Sequence, residues 1–301
     1  MLYCVGANVI SMTKKQQQQC LTILAWYAKE GRDLPWRRTR NPYRILVSEI
    51  MLQQTQVPRV IEKYKEFLRA FPTITALAEA KTADVITVWK GLGYNRRALF
   101  LQRTAQAVQK EFRGKFPRTL EELKTLPGVG DYTARAILSF AFDQPTPVLD
   151  TNHRKFYQKT FFGDEIKIDA ELLKKAEEVI AFIATISLAE ITPTQPPPTR
   201  GRGSFSLIYH WNQALMDWVS ANTEKYTLPK IKKKKKAVPF KETDRYFRGR
   251  IVDVLREEGK IGIASLRKCY PEISDERFEK IVKKLEKDHL ILRKNQSILL
   301  P

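Results

Sequence analysis

Proline spacing constrains this chain more than any other feature. Pro35, Pro42, Pro72, Pro117, Pro127, Pro145 and Pro147 punctuate residues 16–186, a stretch whose apolar positions otherwise recur at three- and four-residue intervals, as in Leu21, Leu24, Ala25 and Ala28. A proline inside a helix removes a hydrogen bond and clashes with the preceding turn, so it marks a boundary. The pattern therefore predicts many short helices, and no strand alternation competes with it. The expected fold class is mainly α.

Composition then divides the chain. Residues 1–15 form an N-terminal extension, with Met12 as good a start as Met1, and residues 16–225 form the helical domain. A Pro-, Gly- and Arg-rich run, TPTQPPPTRGRGS at 192–204, interrupts that domain as an exposed insertion. Residues 226–242 contain KIKKKKK and suit a solvated linker or a non-specific phosphate contact. Residues 243–301 resume with helical segments near 250–258, 265–269 and 275–288. They end on LILRKNQSILL, which alternates and turns at Lys294, Asn295 and Gln296. Three helices and a hairpin suggest a winged-helix-like module, which can serve DNA or protein partners.

Charge narrows the partner. Fifty-three Lys and Arg against 33 Asp and Glu give a net charge of +20, a surplus that commonly faces a polyanion such as nucleic acid. With 43% hydrophobic residues and five Trp the chain can still fill a core. No run approaches the roughly 18 apolar residues of a membrane span, and residues 1–12 lack the features of a secretory signal. A soluble, cytoplasmic protein is expected, associated with the nucleoid if prokaryotic. Cys4, Cys20 and Cys269 are odd in number and far apart, which suggests neither a disulfide framework nor a zinc site.

The sharpest local signal is Leu126-Pro127-Gly128-Val129-Gly130-Asp131-Tyr132 between two helical segments, 119–125 and 132 onward. Gly128, Val129 and Gly130 leave backbone N–H groups unobstructed at the positive end of the second helix. A DNA phosphate can be gripped there without any base being read.

This hairpin resembles the helix-hairpin-helix motif of the superfamily that includes endonuclease III and the MutY adenine glycosylases. LPWRRTRNPYRILVSEIMLQQTQV at 34–57, GLGYNRRALFL at 91–101, PVLDTNHRKF at 147–156 and WNQALMDW at 211–218 are similar to that family in its own order, over residues 16–225. The resemblance implies a two-lobed DNA glycosylase domain acting in base excision repair. It makes Glu49 the general acid and Asp150 the carboxylate facing the sugar. Breaking an N-glycosidic bond leaves an electron-poor sugar that a carboxylate stabilises. Adenine leaves when its ring takes up a proton, which suits a carboxyl group kept protonated by burial among neighbours such as Val47, Ile50, Met51 and Leu52. Taken alone, Glu49 fits a solvated helix face and Asp150 fits a helix cap, and the cap is compatible with catalysis.

The same resemblance puts Tyr132 where bifunctional relatives carry a nucleophilic lysine, implying a monofunctional enzyme. It makes Asn152 a hydrogen-bonding support for Asp150. Gln54 and Tyr94 become intercalating residues that stand in for the flipped base, with a helix surface and a core tyrosine as the plainer alternatives. Arg37 becomes a DNA contact and Trp36 a substrate-pocket residue, with core packing as its alternative. His153 has no metal-ligand spacing and is expected on a helix surface.

Two departures follow. Most relatives bind a four-iron, four-sulfur cluster through four cysteines after the NQALMD segment, but residues 223–239 contain none, so no cofactor is expected. The C-terminal residues are too short for the family's usual 8-oxoguanine-reading domain. The expected partner is duplex DNA with a mismatched or oxidised pair, the expected form a monomer, and the expected reaction removal of adenine opposite 8-oxoguanine or guanine. Alternatives are a thymine/uracil–guanine mismatch glycosylase, which Tyr132 also permits, and a non-catalytic DNA-binding protein.

Overall fold

The computed structural model describes residues 12–187, 205–228 and 238–301; the insertion at 192–204, the lysine run at 230–236 and Cys4 lie outside them. The helices are α1 (Lys14–Glu30), α2 (Pro42–Leu52), α3 (Val57–Ala70), α4 (Ile74–Glu79), α5 (Thr82–Val88), α6 (Arg96–Phe112), α7 (Leu120–Thr125), α8 (Asp131–Phe142), α9 (Thr151–Tyr157), α10 (Asp169–Thr185), α11 (Leu207–Ala221), α12 (Asp244–Glu258), α13 (Ile263–Lys268) and α14 (Asp275–Lys287). Prolines sit at boundaries as their chemistry requires. Pro35 opens a short 3₁₀ turn, Pro42 opens α2, and Pro72 follows the end of α3. Thr13 caps α1 with a reciprocal box to Gln16, while Ser206, Thr243 and Ser274 cap α11, α12 and α14.

The chain divides into two compact units that cut across the boundaries composition suggested. The first comprises Met1–Ile45, Arg118–Lys124 and Val129–Ile231. Its core is an aromatic cluster in which Phe156, Tyr157 and Trp211 are fully buried, packed with Cys20, Ile23, Leu172 and Val179. Two ring pairs are joined by hydrogen bonds there, Trp211 Nε1 donating to Tyr157 Oη at 3.2 Å and Trp218 Nε1 to Tyr226 Oη at 2.9 Å.

The second unit comprises Leu46–Pro117, Thr125–Gly128 and Lys232–Pro301. The C-terminal residues are therefore built into the same body as α3–α6. Ile86 of α5 and Leu99 of α6 share one buried cluster with Phe247, Ile251, Leu255, Phe278 and Ile298. Polar links reinforce it, with Arg256 donating to Ile86 O at 2.9 Å and Lys90 pairing with Glu257 at 3.0 Å.

Three strands accompany α12–α14: β1 (Lys260–Gly262), β2 (Leu292–Lys294) and β3 (Ser297–Leu299), all antiparallel in the order β1-β3-β2. The β2–β3 hairpin turns through Asn295, whose φ of 54° is the left-handed conformation that asparagine tolerates. Strand β1 is too short to leave an alternating signature and was not expected. It pairs Lys260 with Leu299 and Gly262 with Ser297, and Ile298 is fully buried at the centre.

Candidate active site

Glu49 lies in the second half of α2. The helix starts cleanly because Asn41 Oδ1 accepts from the backbone N–H of Tyr43 at 3.0 Å and of Arg44 at 3.2 Å. Ile45, Leu46, Val47, Ile50 and Met51 are all buried, and Glu49 is 5% exposed. The solvated-surface alternative is thereby removed, because Glu49 is buried.

Asp150 is the N-cap of α9. Its Oδ1 accepts from the His153 backbone N–H at 2.7 Å, and His153 Nδ1 lies 2.7 Å from the same oxygen. Burial alone would raise this carboxyl. The attraction of His153, the hydrogen bonds from its ring and backbone, and the Asn152 backbone N–H outweigh burial and hold Asp150 below the usual carboxylate range. The N–H groups that begin α9 are thus also the ones that favour the Asp150 carboxylate.

His153 corrects an expectation. It is fully buried rather than on a helix surface, stacked on Tyr157 with ring centroids 6.5 Å apart and planes at 28°. Its Nε2 has no hydrogen-bond partner among the described residues. The i to i+3 spacing from Asp150 was visible in the sequence, but burial was not. Asn152 departs from its expected part as well. Its side chain donates to Met216 O at 3.0 Å, fastening the start of α9 to α11, and only its backbone faces Asp150.

Arg37, a DNA contact by resemblance, is 8% exposed and turned inward. Its Nη1 and Nη2 donate to the two carboxylate oxygens of Asp217 at 2.7 and 2.8 Å, and Nη1 also to Arg32 O at 3.0 Å. Burial alone would raise Asp217, but the hydrogen bond and charge of Arg37, with help from Arg32, pull it below the usual carboxylate range. This buried fork joins the 3₁₀ turn to α11, so Arg37 is a brace. Neighbouring Trp36 is 6% exposed, an interior position.

In the hairpin, Gly128 has a φ of +80°, and a Cβ there would stand 2.6 Å from Phe100 Cβ. Only glycine fits both the backbone and the contact. Gly130 is different. It is the N-cap of α8 with φ −89°, and a Cβ would meet nothing within 4 Å, so its N-terminal approach is open. Val129 between them is buried, and Tyr132 is partly exposed in the first turn of α8. The acidic first-turn residue Asp131 is offset by Arg135 at 2.8 Å and Lys124 at 3.4 Å, which preserves the attraction of this helix end for an anion.

Gln54 and Tyr94 both adopt left-handed backbone, with φ of 56° and 47°, a conformation costing a non-glycine residue of order 1–3 kcal/mol and found at functional sites. Gln54 is exposed and Tyr94 is 36% exposed. What holds them is Arg97, missed in the sequence. It donates to Ile50 O and Met51 O at 2.9 Å each, and to Leu92 O at 2.9 Å and Gly93 O at 3.1 Å. The last carbonyls of a helix lack intrahelical partners, and one guanidinium satisfies those of α2 while pinning the 91–95 loop. Burial pushes its pKa down to about 10, which still leaves it charged at neutral pH.

The donor set does not fit a four-iron, four-sulfur cluster. Four thiolates are needed and the chain has three cysteines; Cys20 is buried with its thiol pushed up to about 12 by desolvation, and Cys269 is exposed. Among the described residues no three His, Cys, Asp or Glu side chains converge as a metal site requires.

Residues 47–182 match the HhH-GPD superfamily base excision DNA repair protein family. The adenine DNA glycosylase of Mycobacterium tuberculosis is 34% identical over 255 residues, spanning 82% of this chain and 81% of its own length. The human adenine DNA glycosylase is 48% identical over 140 residues, 44% of this chain and 26% of that one. Among solved structures, a thermostable thymine-DNA glycosylase superposes with a TM-score of 0.55 at 25% identity, covering 68% of this chain and 86% of that one. The chain therefore belongs to the adenine DNA glycosylases, within the HhH-GPD superfamily of base excision DNA repair proteins.

Proposed function

We propose that this enzyme excises adenine mispaired with guanine or 8-oxoguanine in duplex DNA, as a monofunctional glycosylase in which Asp150 and Glu49 take separate roles. Removal of adenine in base excision repair is the activity of the family to which the chain belongs. The observation that carries the mechanism is the hydrogen bonding of Asp150 Oδ1, which accepts from the His153 backbone N–H at 2.7 Å and lies 2.7 Å from His153 Nδ1, contacts that favour the carboxylate over the acid. As the bond between sugar C1′ and the purine nitrogen breaks, its electron pair leaves with the base and positive charge grows on the sugar. A fixed carboxylate lowers that barrier. Glu49, buried in the second half of α2, protonates a ring nitrogen so that the base departs as neutral adenine. Water then adds at C1′, and its proton returns to the Glu49 carboxylate.

The remaining residues serve access and outcome. Gln54 and Tyr94, presented by strained loops, wedge the stack as the adenine is extruded, and the open turn at Gly128, Val129 and Gly130 grips a phosphate. Tyr132 offers a phenol where strand-cleaving relatives offer an amine, so no imine forms with the sugar and the strand stays intact. No helix among the described residues is long and apolar enough to cross a membrane. The enzyme acts as a monomer on DNA in the cytoplasm.

The test uses labelled duplexes bearing A:8-oxoguanine, A:G, T:G or U:G, followed by alkali to break abasic sites. Cleavage at the adenine duplexes only after alkali is expected, and Asp150→Asn should abolish it while retaining duplex binding. Cutting at T:G and U:G alone would overturn the adenine assignment, and a fully active Asp150→Asn variant would overturn the mechanism.

A further inference from the structure

The C-terminal residues do more than pack against α5 and α6. Together with the strained loops they enclose a cavity of about 610 Å3, within the roughly 300–1,000 Å3 range of small-ligand sites. Gln54, Tyr94 and Gly128 line one part, and Arg245, Arg248 and Lys284 line another. Five cationic side chains border it against two carboxylates, Asp244 and Asp288. Both carboxylates are already engaged, Asp244 with Arg277 at 2.8 Å and Asp288 with Arg248. Arg97 is spent on backbone carbonyls, whereas Arg245 and Lys284 are exposed and have no carboxylate within ion-pair distance among the described residues, so they are the cations open to a ligand.

Arg245 is held in an unusual way. Its guanidinium lies 3.7 Å from the Tyr94 ring centroid and 5.2 Å from that of Phe240. Aromatic contacts use the faces of the guanidinium and leave its N–H edge as the donor surface. A planar donor fork fixed by aromatic rings matches the paired acceptors on the major-groove edge of guanine, O6 and N7, better than the edge of any other base. Tyr94 is also one of the two wedge positions, and a wedge that displaces adenine leaves the partner base unpaired beside it.

We propose that Arg245 reads the acceptor edge of the guanine that faced the excised adenine, with the cavity receiving that nucleotide and Lys284 meeting its phosphate. The C-terminal residues thereby supply opposite-base specificity beside the Tyr94 loop. The inference rests on the proposed removal of adenine opposite guanine, and it adds a specificity-determining residue.

Single-turnover cleavage is measured on duplexes carrying adenine opposite guanine, 7-deazaguanine, which lacks the N7 acceptor, and cytosine. Wild type should cut A:G roughly 5- to 100-fold faster than A:7-deazaguanine, the discrimination of one bidentate contact. Arg245→Ala should cut the two at equal rates, and Arg245→Lys should behave like the alanine variant, since an ammonium has no fork. Lys284→Ala should weaken binding to all duplexes alike and lower the slope of binding against salt by about one. Both side chains are exposed, so loss of folding does not confuse the result. A wild-type-like preference for guanine over 7-deazaguanine in Arg245→Ala, or no such preference in wild type that cuts A:G well, would overturn this inference alone. Failure of wild type to cut any adenine duplex would overturn the functional proposal and this one with it.

Discussion

Replacing His153 tests how the fold prepares Asp150. In His153→Leu the burial of Asp150 persists, as do the backbone N–H groups of α9, but the ring hydrogen bond at 2.7 Å and the attraction of the imidazole are gone. A hydrogen bond to a charged group is worth about 1.5–3 kcal/mol, and its loss weakens the ionised form, so the Asp150 pKa should rise. Because Asp150 acts as a carboxylate, activity is lost as pH falls through its pKa. Wild type starts below the usual aspartate value of 3.8, so its single-turnover rate should hold at mildly acidic pH, whereas the leucine variant should fall at distinctly higher pH. His153→Asn, which retains a hydrogen-bond donor near the Nδ1 position, should lie between them. The assay is excision from an adenine-mismatch duplex as a function of pH, with circular dichroism confirming the fold at each point. An acid limb at the same pH in wild type and His153→Leu would refute the argument that His153 sets the ionisation of Asp150. The same linkage governs stability: a depressed carboxylate pKa contributes at neutral pH, and the contribution disappears as pH drops through the folded value.

Three further outcomes follow from the geometry. Asp217→Ala leaves the buried Arg37 without its counter-ion and should destabilise the protein by about 3–5 kcal/mol in denaturant unfolding, while Asp217→Asn should cost less. Gly128→Ala should lower the melting temperature because its Cβ meets Phe100 at 2.6 Å, whereas Gly130→Ala, with open space and negative φ, should fold normally and weaken duplex binding. Metal analysis of purified protein should find no stoichiometric iron, since the chain has three cysteines; near-stoichiometric iron would sink that expectation.

Features set by neighbours in sequence were legible before any coordinates. Helix boundaries follow from proline and cap chemistry, the hairpin from two glycines between helices, and the position of Asp150 as a cap from Leu149-Asp150-Thr151. The C-terminal hairpin turn was legible for the same reason, since asparagine takes up its left-handed backbone at little cost. Legibility failed where a side chain finds its partner across the chain. Arg37 and Asp217 are 180 residues apart, and Arg97 reaches back 47 residues to the carbonyl of Ile50. A basic residue in a basic protein looks like a DNA contact until its partner is known.

The paired carboxylates show both sides of this division. Sequence alone determined that Glu49 and Asp150 lie in motifs resembling those of the family, that four cysteines for a cluster are missing, and that many short helices carry a glycine turn between α7 and α8. Tertiary structure decided that His153 is buried against Asp150 and hydrogen-bonded to it, that Arg37 and Arg97 are internal braces, and that the C-terminal residues belong to the same compact body as the Tyr94 loop. The physical reason is range: caps, turns and backbone strain depend on a few consecutive residues, whereas burial and charge pairing depend on which distant segments the hydrophobic core brings together.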